Sequence, residues 1–251
     1  MASVNGTNIL LYVDGVVIAS QKGMSITIAQ NLFDISTKNS AGWAEHGNGT
    51  RNASVSFDAL CSTTGISAKE LMSSLFAGST DRILLVITGF DYPLVMLVDL
   101  QNSTITAPQE EAVALSGQFV ANGPVYYLSG TNAQLVSSWT NTDYDTFTSS
   151  GYSITSAINA SGGASALSNH INVTSGDVIT VFVYLTLTSG EAPSLVLLNN
   201  SSVEKSNKVA LVNGANLVTL TATGSDAQMH LEVINTAASN FATSNVYCFK
   251  V

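Results

Sequence analysis

The sequence predicts an all-β protein, mainly β with one flanking helix, and three observations carry that prediction. Apolar and polar residues alternate over strand lengths, as in MSITIAQ (Met24–Gln30) and ASVSFDA (Ala53–Ala59), so each segment has one apolar face. Charged residues make up 10% of the 251 residues, against about 25% in a typical globular protein, so serine, threonine and asparagine solvate the surface instead. Short apolar runs are separated throughout by Gly, Asn, Asp and Pro turn residues.

The elements follow in order. NILLYVDGVVIAS sets Asp14–Gly15 between two apolar runs and predicts a hairpin with strands near 8–13 and 16–20, because both central positions of such a turn take positive φ. MSITIAQNLFDIS is a third strand. The pattern lapses from about Thr37 to Arg51, a polar, glycine-dotted loop holding Trp43, and resumes at Ala53 with Val55, Phe57 and Ala59 on one face. The one predicted helix lies near 67–77: Ser67 and Glu70 form a capping box, Ile66 and Leu71 a hydrophobic staple, and Leu71, Met72, Leu75 and Phe76 an apolar stripe ended by Gly78. RILLVITGFDYPLVMLVDL reads as two strands around a Gly89–Pro93 turn, STITA precedes a turn at Pro108, and AVALSGQFVANG is a further strand.

The Ser129-Gly130-Thr131-Asn132 cluster marks a linker and divides the chain into domains of 1–130 and 131–251. Strands of the second domain are predicted near 152–159, 168–174, 177–188, 194–199, 208–213, 216–223, 227–235 and 244–251, with a hairpin turn at Asn213–Gly214. Short strands between turns suggest a sandwich or jelly roll.

Eight basic and seventeen acidic residues give a formal net charge of −9, with no basic run, which argues against gripping a phosphate backbone. Met1 is followed by small polar residues rather than a Sec-type leader, and Ile83–Ile87 and Leu94–Val98 are too short to span a bilayer as helices. Cys61 and Cys248 have no metal-like spacing, and His46, His170 and His230 have no ligand or carboxylate partner in register, so no metal or cofactor is expected. No nucleophile elbow, Walker loop or dinucleotide fingerprint occurs, so no enzymatic activity is expected. Asp143 and Asp145 read as a solvated loop ahead of a calcium site. Trp139, Tyr144, Phe147 and Tyr152 form an aromatic cluster; Trp139, Tyr144 and Tyr152 fit sugar stacking, and sandwich core fits them as well.

GTNILLYVDG followed by VVIAS, ITIAQNLFDISTKNSAGW, SVSFDAL, the helix and AVALSGQFVANGP occur in that order, and Asp34–Trp43 is the most specific piece. Over residues 5 to about 128 the chain resembles the major tail proteins, or tail tube proteins, of tailed bacteriophages. The resemblance implies a tail-tube β-sandwich domain that assembles as hexameric rings stacked into a tube, part of a virion made in the host bacterial cytoplasm. It implies that the long loop, with Lys38, Asn39, Ser40, Trp43, His46 and Arg51, reaches a neighbouring subunit. It also implies that acids such as Asp99, Glu110 and Glu111 face a lumen through which double-stranded DNA passes without specific binding, and that tape measure and terminator proteins meet the tube ends.

The chain after about Leu128 departs from the minimal pattern and is similar to the outer immunoglobulin-like or carbohydrate-binding-like domains of non-contractile tails, with glycans as possible ligands. The alternative is a two-domain carbohydrate-binding protein with no tube-forming role.

Overall fold

The computed structural model describes residues 6–18, 21–36, 43–61, 71, 82–91, 93–109, 111–128, 135–160, 163–199, 203–225, 227–233 and 238–250. A 3-10 turn at Gly6–Asn8 leads into β1 (Leu10–Val13), β2 (Val16–Val17), β3 (Gln21–Asp34), β4 (His46–Leu60), β5 (Ile83–Thr88), β6 (Leu94–Thr106) and β7 (Ala114–Tyr127). These strands hydrogen-bond in the order β2-β1-β5-β6-β7-β4-β3. The Asp14–Gly15 hairpin forms as expected, with φ of 52° and 84° and Tyr12 opposite Val17.

Alternation explains the inner face of β4, where Ala53, Val55, Phe57 and Ala59 are buried. Phe57 stacks on Phe119 of β7 at 5.3 Å. Gly117 lies beneath that contact, and a Cβ there would meet the Phe57 ring and the Asn102 carbonyl at 2.8 Å, so only glycine lets the strands close around the ring. Of the helix expected near 67–77, Leu71 is the described residue, helical and buried, and the rest lies outside the described residues.

The remaining strands are β8 (Trp139–Thr142), β9 (Thr146–Ser150), β10 (Ser153–Asn159), β11 (Ala164–Ile171), β12 (Val178–Gly190), β13 (Ser194–Leu198), β14 (Val209–Ala210), β15 (Gly214–Thr221), β16 (Ala227–Val233), β17 (Ser239–Thr243) and β18 (Tyr247–Lys250). They form a sandwich. One sheet runs β15-β12-β17-β10-β9 with β18 also on β12, and the other runs β14-β13-β16-β11-β8. Their inner faces share one core that includes Val181, Leu195, Leu231 and Phe241.

Asn213–Gly214 is not the expected hairpin turn. β14 pairs with β13 and β15 with β12, so the chain changes sheets there. The Asn213 side chain accepts a hydrogen bond from the Leu187 amide at 2.8 Å, and Gly214 takes a φ of 102°, which suits a sandwich corner.

The described chain divides into two compact units, one of residues 1–17, 80–97 and 126–251 and the other of 18–79 and 98–125. This differs from the cut at residue 130 expected from the polar linker. The reason is a second core within the first unit, in which Leu84, Val86, Val95 and Leu97 pack with Leu128, Phe182 and Phe249. Tyr126 packs edge-on to Phe182 at 5.5 Å and tilted against Phe249 at 4.9 Å. Apolar faces outside both sandwich layers find each other here, and their burial outweighs any tendency of the polar linker to separate two domains.

Candidate assembly surface and sandwich rim

β3 and β4 pair along nearly their whole length, from Gln21 opposite Ala59 to Asp34 opposite His46. β4 meets β7 only from Ser54 to Leu60. Beyond Ala53 the two strands therefore run on as a two-stranded ribbon. This corrects the loop expected from about Thr37 to Arg51, since His46–Asn52 is strand.

A bulge between Gln30 and Leu32 bends the ribbon, and the Asn31 amide donates to the Thr50 hydroxyl at 3.1 Å. Near its tip the Asp34 carboxylate accepts from the Ser36 amide, the Ser36 hydroxyl accepts from the Glu45 amide, and the Ile35 amide bonds the Glu45 carbonyl. Those bonds from Ser36 hold the fully exposed Asp34 carboxyl below its usual range, with a smaller contribution from His46.

The ribbon carries apolar residues that its own unit leaves uncovered: Ile28, Leu32, Phe33, Ile35 and Trp43, the last 80% exposed. Among the described residues, the two-stranded ribbon has no second layer on which to bury them. Gly47 sits under Phe33, so a Cβ there would lie 2.5 Å from the ring. His46 and Arg51 are exposed on β4, with Arg51 opposite Gln30. Lys38, Asn39 and Ser40 lie outside the described residues.

The face of β3, β4 and β7 opposite Val55 and Phe57 is polar. Ser25 faces Ser56, Thr27 faces Ser54, Ser56 faces Gln118 and Asp58 faces Ser116. Asp58 is exposed there, and sequence reasoning passed over it although the alternation of Ser54, Ser56 and Asp58 was visible. Asp99 is exposed and accepts a hydrogen bond from the Asn122 amide at 2.9 Å. Glu111 is exposed, and Glu110 lies outside the described residues.

Two of the three aromatic residues suggested for sugar stacking are core residues. Trp139 and Tyr144 are 5% and 4% exposed. Tyr144 packs against Phe147 at 5.9 Å and Phe241 at 5.7 Å and donates to the Leu231 carbonyl at 3.2 Å; burial chiefly, then Glu232, pushes its phenol pKa up. Their faces cannot stack on a ligand. Tyr152 is 40% exposed.

His230 is buried, and desolvation pushes its pKa down, with Glu232 opposing and Lys208 adding. Ser165 Oγ lies 3.0 Å and a Glu232 carboxylate oxygen 3.9 Å from the same nitrogen, Nδ1. A nucleophilic relay needs both ring nitrogens, so this cluster is no triad. Asp145 accepts from the Ala160 amide, and among the described residues no group of three or more His, Cys, Asp or Glu side chains could hold a metal ion.

The described site is thus an edge ribbon with apolar side chains held in solvent, on a sheet with one polar face. Residues 4–127 match the family model described as phage tail tube protein, and that segment belongs to the family, which makes the chain a structural protein of the virion tail. No curated protein matches the chain.

Among solved structures, a chain of the virion of a native gene transfer agent particle aligns with 16% identity and a TM-score of 0.46, over 51% of this chain and 100% of that one. A chain from the tail of an empty gene transfer agent particle, refined with C6 symmetry, aligns with 13% identity and a TM-score of 0.43 over the same shares. The N-terminal cellulose-binding domain of a Cellulomonas fimi β-1,4-glucanase aligns with 13% identity and a TM-score of 0.34, over 45% of this chain and 88% of that one.

Proposed function

We propose that the protein is the repeating subunit of a phage tail tube, in which rings of six stack and the β3–β4 ribbon of each subunit lies against a neighbour. The observation that carries this reading is the exposure of Ile28, Leu32 and Phe33 on β3 and of Ile35 and Trp43 near the ribbon's tip. β3 supports it as well. Among the described residues its one sheet neighbour is β4, so a 14-residue strand presents an open edge that invites another strand.

In this arrangement the polar face holding Asp58, together with Asp99, Glu110 and Glu111, turns to the lumen. A net charge of −9 with no basic run repels passing DNA rather than trapping it. Tape measure and terminator proteins occupy the tube ends. The accessory sandwich expected at 131–251 projects outward, which a contractile sheath would leave little room for, and so favours a non-contractile tail.

Size-exclusion chromatography and negative-stain microscopy of purified protein test the reading. Rings or tubes that Trp43→Ala abolishes while its melting temperature stays near wild type are the expected outcome; wild-type protein that stays monomeric under every condition opposes it. A second reading, glycan binding by the sandwich, rests on the exposure of Tyr152.

A further inference from the structure

Three turns within the first unit meet at one rim and bring tyrosines with them. The β1–β2 turn abuts the β17–β18 connection, where a Cβ on Gly15 would lie 2.5 Å from the Ser244 Cβ. Ser244 is fixed on β12: its amide donates to the Tyr184 carbonyl at 2.8 Å and its hydroxyl accepts from the Tyr184 amide at 3.1 Å. The third turn, between β9 and β10, holds Tyr152. Its carbonyl accepts from Trp139 Nε1 and from the Val246 amide, both at 3.0 Å.

Val246 precedes Tyr247, and Tyr247 and Tyr12 both lay their rings against the core of Phe182 and Phe249. Asn245 Nδ2 donates to the Tyr247 hydroxyl at 3.4 Å. Burial chiefly pushes the Tyr247 phenol pKa up; the Asn245 bond opposes, and the Tyr12 and Tyr152 phenols add to the rise, as neighbours do.

We propose that Tyr12, Tyr152, Tyr247 and Asn245 form a binding site for a neutral sugar, with Tyr152 giving the stacking face and the others hydrogen bonds to ring hydroxyls. The proposal rests on the glycan reading above and moves it to a different set of residues. Core packing accounts for Tyr12 and Tyr247 but not for Tyr152, which is 40% exposed although a buried tryptophan pins its backbone. An exposed aromatic ring on a main chain pinned at its carbonyl, beside polar hydroxyl and amide groups, suits a polyol with one apolar face. Asp14–Gly15, Gly151–Tyr152 and Ser244–Val246 include no lysine or arginine, so the rim has nothing in these turns to hold an anion.

The test is isothermal titration calorimetry of the full-length chain with hexamers of glucose, galactose and N-acetylglucosamine, and with hexagalacturonate as the anionic probe. At least one neutral hexamer is expected to bind, with Tyr152→Ala and Tyr247→Phe each weakening it about tenfold or more while leaving the melting curve in place, and Trp43→Ala leaving affinity unchanged. Binding of a neutral hexamer that Tyr152→Ala does not weaken would overturn this site and leave the broader glycan reading standing. Binding of none, or preference for hexagalacturonate, overturns the proposal whether or not the protein forms tubes.

Discussion

Asp14 sits in the left-handed region at φ 52°, and its carboxylate accepts from the Leu84 amide at 2.8 Å. Desolvation outweighs that bond and raises its pKa from 3.8 to about 7. Folding therefore tightens proton binding, so the stability this gives is complete below pH 3.8 and is lost as the pH rises through about 7. Asp14→Asn keeps a residue that tolerates the turn and removes the charge. Urea unfolding at pH 5 and pH 8 should show wild type losing on the order of 2 kcal/mol across that interval and Asp14→Asn much less; parallel losses would mean the carboxyl is not the source. At this scale the sequence showed the Asp-Gly turn but not the burial of its carboxyl, which depends on β5, about 70 residues away. Trp139 and Tyr152 looked equivalent for a similar reason: the bond that fixes Tyr152 by way of buried Trp139 belongs to tertiary structure.

The β3–β4 ribbon shows where alternation stops being informative. Ala53, Val55, Phe57 and Ala59 alternate because a core lies under them, whereas His46–Asn52 has, among the described residues, no layer beneath it and so carries no period to read. Of the expected loop, His46–Arg51 is strand, and Trp43 beside it is exposed. Gly47→Val is expected to displace the Phe33 ring, since a Cβ there meets it at 2.5 Å, and to weaken tube assembly while changing the stability of the monomer by less than about 1 kcal/mol. Light scattering for assembly and thermal melts for the monomer separate the two effects; a loss of melting temperature as large as the loss of assembly would place Gly47 in the fold rather than the interface. The Asn213–Gly214 corner carries the same lesson, because a turn dipeptide marks a reversal but not which sheet receives the next strand.

Across the molecule, fold class and the all-β architecture were legible from alternation and turn residues, while the grouping of strands was not. Leu84, Val86, Val95 and Leu97 pack with Phe182 and Phe249, which follow them in the chain at separations that one chain's periodicity cannot pair. Phe182→Ala should cost about 3–5 kcal/mol in urea unfolding, and a 131–251 fragment, which lacks those partners, should unfold at lower urea than the same sandwich in the full chain. A fragment as stable as the whole would mean that the shared core adds little.

The central claim is that the exposed apolar residues on the ribbon and at its tip form an interface between copies of the chain. A helical reconstruction of tubes grown from the purified protein, at a resolution that shows side chains, tests it most directly. Six subunits per ring with Phe33, Ile35 and Trp43 covered by a neighbouring subunit is the predicted result. Tubes in which the ribbon stands bare in solvent would contradict it.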